Sequence, residues 1–149
     1  MKKNFLIIAL VFLISSCGYQ PVDLENYEEL TIKEIKILKA STLNNKIKKI
    51  LISYSKPSKN IILLELDSKK NINIKSKDTK GNALIYELQI TTNILFKKNG
   101  KTFIKSLNES FIYNTKDNQF SLKQYEKDIE KNLINKLVRE ILVFIAKSN

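Results

Sequence analysis

Histidine and tryptophan do not occur in this chain, cysteine occurs once, at Cys17, and Arg139 is the only arginine among 26 basic residues. Each scarcity removes a class of function. Without histidine there is no imidazole base, and a single cysteine cannot build a Cys/His zinc cluster. Most hydrolase and redox chemistries lose their parts in this way, so the expectation is a non-enzyme with no metal site and no bound cofactor. A lone cysteine also leaves no intramolecular disulfide framework, and the fold must stand on its core. Bidentate recognition of bases and phosphates favours the arginine fork, so its near absence argues against a nucleic-acid partner.

What is present begins at the N-terminus. Lys2 and Lys3 precede ten apolar residues, Phe5 to Ile14, followed by Ser15 and Ser16, the three-part layout of an export signal. The run is too short to cross a bilayer, which takes about 20 apolar residues. Ile14-Ser15-Ser16-Cys17 resembles a bacterial lipobox. That resemblance implies a diacylglycerol on the Cys17 sulfur, cleavage before it, and acylation of the new amino group; an ordinary free or disulfide-bonded cysteine is the alternative. Two or three acyl chains, at about 0.8 kcal/mol per buried methylene, anchor a protein far more durably than one. The expected organisation is a signal peptide at 1–16, a lipidated N-terminus and tether at 17–29, and a single domain at 30–149. A mature chain of that size can bury roughly two-thirds of the surface it exposes when unfolded.

The net charge of +11 falls to +9 without Lys2 and Lys3. Such a surplus suggests an anionic partner, although a chain crowded with Lys, Asn and Ile also fits a merely solvated surface shaped by codon bias. Asp23, Glu25, Glu28 and Glu29 form a short acidic stretch without periodicity, read as the tether.

Thr31 to Leu38, with Ile32, Ile35 and Ile37, predicts a first strand. Ser41 or Thr42 caps a helix that carries Leu43, Ile47, Ile50, Leu51 and Tyr54 on one face, and Pro57 stops it. Asn60 to Leu66 predicts a buried strand. Asn71 to Ile74 either extends it or forms a separate piece, and the lysine-rich stretch from Lys69 to Lys80 predicts an exposed loop.

The strongest sheet signal is Ala83 to Tyr113, where Asn99-Gly100 supplies a type I′ hairpin turn. That turn sets Lys98 opposite Lys101, Phe96 opposite Phe103, Thr92 opposite Leu107, Leu88 opposite Phe111 and Tyr86 opposite Tyr113. The other face pairs Asn93 with Ser106, Thr91 with Asn108 and Gln89 with Ser110, polar and nearly uncharged. Lys105 and Glu109 fall on the apolar face, which calls for a bulge or a partly open core. Ser121 and Gln124 have capping-box spacing. Behind them Tyr125, Ile129, Leu133, Leu137, Ile141 and Ile145, widened by Ile134, Val138 and Leu142, make a core-facing helical stripe. The predicted class is α+β, a two-layer sandwich with two helices on one face of a roughly four-stranded, mostly antiparallel or mixed sheet.

Taken in order, Cys17-Gly18-Tyr19-Gln20-Pro21, the strand around Tyr86-Glu87-Leu88, the Asn99-Gly100 hairpin, Phe111-Ile112-Tyr113, the Phe120 approach and the last amphipathic helix resemble the lipopolysaccharide-assembly lipoprotein family LptE, particularly its alphaproteobacterial forms. The resemblance implies a sandwich tethered to the inner leaflet of the outer membrane. It would lodge inside the β-barrel of its partner LptD as plug and assembly aid, and bind lipopolysaccharide directly. A polar sheet face suits a barrel lumen, whose walls are polar. Lys97, Lys98 and Lys101 at the hairpin tip are the candidate lipopolysaccharide-binding residues, able to meet lipid A phosphates; a solubilising turn is the plainer reading. The alternative function is a stand-alone lipid-anchored periplasmic module that binds anionic envelope lipid or polymer.

Overall fold

The computed structural model describes residues 31–57 and 61–148. The expected signal peptide, Cys17 and the tether lie outside them. Six elements follow one another: β1 (Thr31–Ile37), α1 (Thr42–Ser53), β2 (Ile61–Lys77), β3 (Ala83–Lys98), β4 (Lys101–Asn114) and α2 (Gln119–Lys147). The strands form one sheet in the order β1-β2-β3-β4, with β1 parallel to β2 and the remaining pairs antiparallel. Both helices pack on one face of this mixed sheet, so the α+β two-layer sandwich expected from the sequence is the observed fold.

Helix α1 opens where the Ser41 side chain accepts the backbone N–H of Asn44 at 3.0 Å. Ile47 and Leu51 are completely buried, whereas Leu43 and Ile50 are half-covered. The helix ends at Ser53, short of Pro57, and Tyr54 caps it from an exposed position. The backbone N–H of Ile32 donates to the Ser55 hydroxyl at 2.9 Å, which ties the exit of α1 to the first strand.

β2 departs from the sequence reading in part. It is one strand of 17 residues, so Asn71 to Ile74 extends the strand expected over Asn60 to Leu66, one of the two possibilities the sequence leaves, whereas the loop expected over Lys69 to Lys80 is reduced to a turn after Lys77. Lys69 pairs with Thr91, Asn71 with Gln89 and Asn73 with Glu87. Lysine density sets the solubility of a face, not the state of the backbone, and β3 offers a full ladder of hydrogen-bond partners along this length. Asp78 builds the turn: one carboxylate oxygen accepts the backbone N–H groups of Lys80 and Asn82, each at 2.8 Å. Gly81, with φ +87°, supplies the positive dihedral.

The β3–β4 hairpin has the predicted register throughout, from Lys98 opposite Lys101 to Tyr86 opposite Tyr113. Its turn residues have φ of 52° at Asn99 and 76° at Gly100, the pair of positive values a type I′ turn requires. The start of α2 is a second correction. Asn118, not Ser121, is the cap, and its side chain accepts the Ser121 N–H at 2.8 Å. Asparagine caps as well as serine, and the earlier start leaves Phe120 outside the core, 81% exposed.

The stripe of α2 is buried as predicted, with Leu137 and Ile141 inaccessible among Leu88, Ile90, Ile94 and Phe96. Phe96 stacks on Phe103 at 5.0 Å and meets Phe144 edge-on at 5.6 Å. The two charges on this face need no bulge between β3 and β4. Glu109, 8% exposed, meets the Lys136 ammonium of α2 at 2.7 Å. Lys105 lies over the Phe144 ring, 4.9 Å from its centroid. Both contacts come from α2, which packs over β3 and β4 on this face.

Glu130 of α2 joins three elements. Its carboxylate accepts from Lys46 of α1 and Lys70 of β2, each at 2.6 Å, while the residue is only 7% exposed. Burial opposes its ionisation, but the two ammonium donors prevail and hold the carboxyl below its ordinary value near 4.5. A lowered folded-state pKa stabilises the protein above the unfolded value and loses that contribution as pH falls through the folded value. Glu130→Gln is therefore expected to lower stability by about 1–2 kcal/mol at neutral pH, with the gap to the unsubstituted chain narrowing as pH falls below the ordinary carboxyl value near 4.5. Urea unfolding midpoints at pH 7 and pH 3 check this.

Candidate interaction surface

With both helices on one side, the other face of the sheet is open. Strand alternation places alternate residues there, and the register aligns them in rows across β2, β3 and β4. The central rows are Asp67, Asn93 and Ser106, then Lys69, Thr91 and Asn108, then Asn71, Gln89 and Ser110. Asp67 and Lys69 are the only charges in these rows and have opposite sign. The Thr91 hydroxyl donates to the side-chain carbonyl of Asn108 at 3.1 Å. Toward the hairpin the strip ends at Leu95 and Ile104, the latter 72% exposed. Toward the other end it meets Ile112 and Glu87, whose carboxylate accepts from Lys75 at 3.2 Å and is held below the usual carboxylate range by that bond. The result is a band of amides and hydroxyls without net charge. It can exchange hydrogen bonds with a polar wall and offers little to a free anion.

The hairpin tip is smaller than the sequence suggested. Lys97 and Lys101 are exposed, but Lys98 is turned onto the helix side, where it is 8% exposed and its ammonium donates to the Ser148 carbonyl at 2.9 Å. Adjacent strand residues point to opposite faces, so Lys97 and Lys98 cannot share a surface. The end of α2 supplies partial negative charge for the buried ammonium. Lys98 is thus removed from the candidate ligand set and becomes a structural residue.

Leu63 pairs with Lys97, and Thr31 pairs with Ile61 two residues away. The chain therefore enters β1 at the same end of the sheet as the lysine tip. Sequence reasoning misses the contribution of β2 to the open face because the lysine density from Lys69 to Lys80 reads as a loop and leaves the link between Leu66 and Asn71 undecided. The alternation of Asp67, Lys69, Asn71 and Asn73 with Ser68, Lys70, Ile72 and Ile74 was the available signal.

No protein-family model matches this chain, and no curated protein matches its sequence. Solved structures do match it. Rare lipoprotein B from Shewanella oneidensis aligns with a TM-score of 0.63 at 14% identity, over 81% of this chain and 96% of its own. Uncharacterized lipoprotein B from Nitrosomonas europaea gives a TM-score of 0.57 at 15% identity, covering 80% of this chain and 83% of the other. A minor lipoprotein from Acinetobacter baumannii gives 0.55 at 13% identity, covering 80% and 93%. At these identities the likeness establishes the fold, which this chain shares with bacterial lipoproteins.

The contrast between the lysines predicts a contrast in stability. Lys98→Met is expected to cost about 1–3 kcal/mol, as for a lost hydrogen bond from a charged donor. Lys97→Ala and Lys101→Ala should each change stability by less than about 0.5 kcal/mol. Thermal unfolding of the three variants measures the difference.

Proposed function

We propose that this protein is an outer-membrane lipoprotein, anchored by diacylglycerol and an N-acyl chain on Cys17, that assembles with and plugs the LptD β-barrel and assists lipopolysaccharide transport and insertion at the cell surface. The observation that carries the reading is the amide and hydroxyl band of the open sheet face, centred on Thr91 and Asn108, where Asp67 and Lys69 are the two charges and cancel. Lumen walls of outer-membrane barrels are polar, and a polar sheet face without net charge meets such a wall at little electrostatic cost. The fold shared with bacterial lipoproteins and the lipobox ending at Cys17 support an envelope location. The role is one of binding and assembly, not catalysis, and it uses no metal or diffusible cofactor. Lys97 and Lys101, exposed on opposite faces of the hairpin tip, each offer an ammonium donor to lipid A phosphates.

The exposed lysines along the second half of β2, Lys69 and Lys77 together with Lys75 beside Glu87, leave that strand with more positive than negative charge and favour the second reading, a stand-alone module that holds anionic envelope lipid or polymer. The two differ in salt response, because exposed lysine contacts are screened while a large plug interface persists. Tagged full-length protein purified at high salt from detergent-solubilised envelopes should bring down one large barrel in near-equal amount. Asn108→Glu should reduce that recovery tenfold or more by placing an unpaired charge in the interface. Lipid-bearing protein recovered without any barrel would instead establish the stand-alone module.

A further inference from the structure

On the side away from the sheet, a groove of about 400 Å³ runs between α1 and α2. Ile50 and Ile134 form its floor, and Lys46, Lys49, Lys127 and Lys131 stand around it with Asp128 as the single acid. Lys46 is committed to Glu130. The same Glu130 is the acid that helical spacing would offer to Lys127, and it is bonded instead to Lys46 and Lys70. Lys127 and Lys131 lie four residues apart on one helix, an arrangement that is mutually repulsive unless an anion lies beside it. A second depression, of about 280 Å³, shares Ile50 and continues the groove to Tyr54 and Arg139.

We propose that this groove is occupied by the chain's own acidic segment, residues 22–30. Three observations point to that occupant. Charge is the first: the segment carries Asp23, Glu25, Glu28 and Glu29 and no basic residue, whereas 24 basic and 11 acidic residues follow it. Its apolar residues Val22, Leu24, Tyr27 and Leu30 are interleaved with the acids, matching an apolar floor with a cationic rim. Position is the second. The Thr31 hydroxyl donates to the Lys56 carbonyl at 2.8 Å and Ile32 is bonded to Ser55, so the segment joins β1 beside the end of α1, at the Tyr54 mouth of the groove. Length is the third. From Tyr54 back to Lys46 is about 12 Å along a helix, well within the roughly 30 Å that nine extended residues can span.

Docking has a mechanical consequence. It leaves only residues 17–21 between the expected lipid and the domain, holding the domain close to the membrane, while release by salt or a competing anion lengthens the tether. The docking itself depends on neither the barrel partner nor the lipid.

The scarcity of cysteine makes the test clean. In full-length protein in detergent, Glu25→Cys combined with Lys49→Cys should form an intramolecular disulfide under mild oxidation at least tenfold faster than Glu25→Cys combined with Asn108→Cys on the opposite face. High salt, or Lys127→Glu with Lys131→Glu, should slow the first pair about tenfold. A chain with Lys49→Cys alone reports any free thiol at Cys17, which separates failure of the lipid reading from failure of docking. Equal rates for the two pairs overturn the proposal, and so do dimers joined through the first pair, which would assign the groove to the segment of a second copy.

Discussion

Everything in this molecule hangs on β3. It is hydrogen-bonded along both edges, to β2 on one side and β4 on the other, over nearly its whole length. Because strand side chains alternate strictly, those two registers settle which residues of three strands go to the helices and which to solvent. Leu88, Ile90, Ile94 and Phe96 are sent inward and buried under α2. Gln89, Thr91 and Asn93 are sent outward, and their partners on β2 and β4 go with them. A slip of one residue would exchange the two sets and leave neither a core nor a polar face.

Charge is distributed by the same division. On the helix side several buried charges have a partner across an element boundary: Glu109 with Lys136, Glu130 with Lys46 and Lys70, Lys98 with the Ser148 carbonyl. Tyr113 belongs to this set. Its hydroxyl donates to Glu126 at 2.7 Å, and burial followed by that carboxylate drives its pKa well above the ordinary tyrosine value. These contacts lock helices to sheet with a specificity that apolar packing lacks. The open face, by contrast, is neutral through its middle. A protein that carries a large basic surplus yet keeps the middle of one broad face free of net charge presents two distinct chemistries, one suited to a polar wall and one to anions.

The likeness to other lipoproteins at 13 to 15% identity follows from how little of this sequence the fold requires. Alternation in three strands, a positive-φ turn, a capped helix and two helical stripes suffice, and many side chains satisfy each. Surface residues are not held by those demands. The composition of the open face and of the α1–α2 groove is therefore where this chain expresses properties of its own.

Much of this was legible from local pattern. The Asn99-Gly100 turn and the alternation around it determined the hairpin register residue by residue, because turn geometry and period-two burial are both short-range. The α2 stripe and the α+β class followed for the same reason, as did the neutrality of the face built on Gln89, Thr91 and Asn93. Tertiary structure alone decided the rest. Lys69 to Lys77 became strand because β3 supplied distant hydrogen-bond partners that no local propensity encodes. Lys98 left the tip because the end of α2, fifty residues away in the chain, lies beneath it. Glu109 and Lys105 found their partners, Lys136 and the Phe144 ring, only when α2 packed over β4. Local chemistry selects the elements and their faces, whereas the fate of a charge depends on which distant group the fold brings within hydrogen-bonding distance.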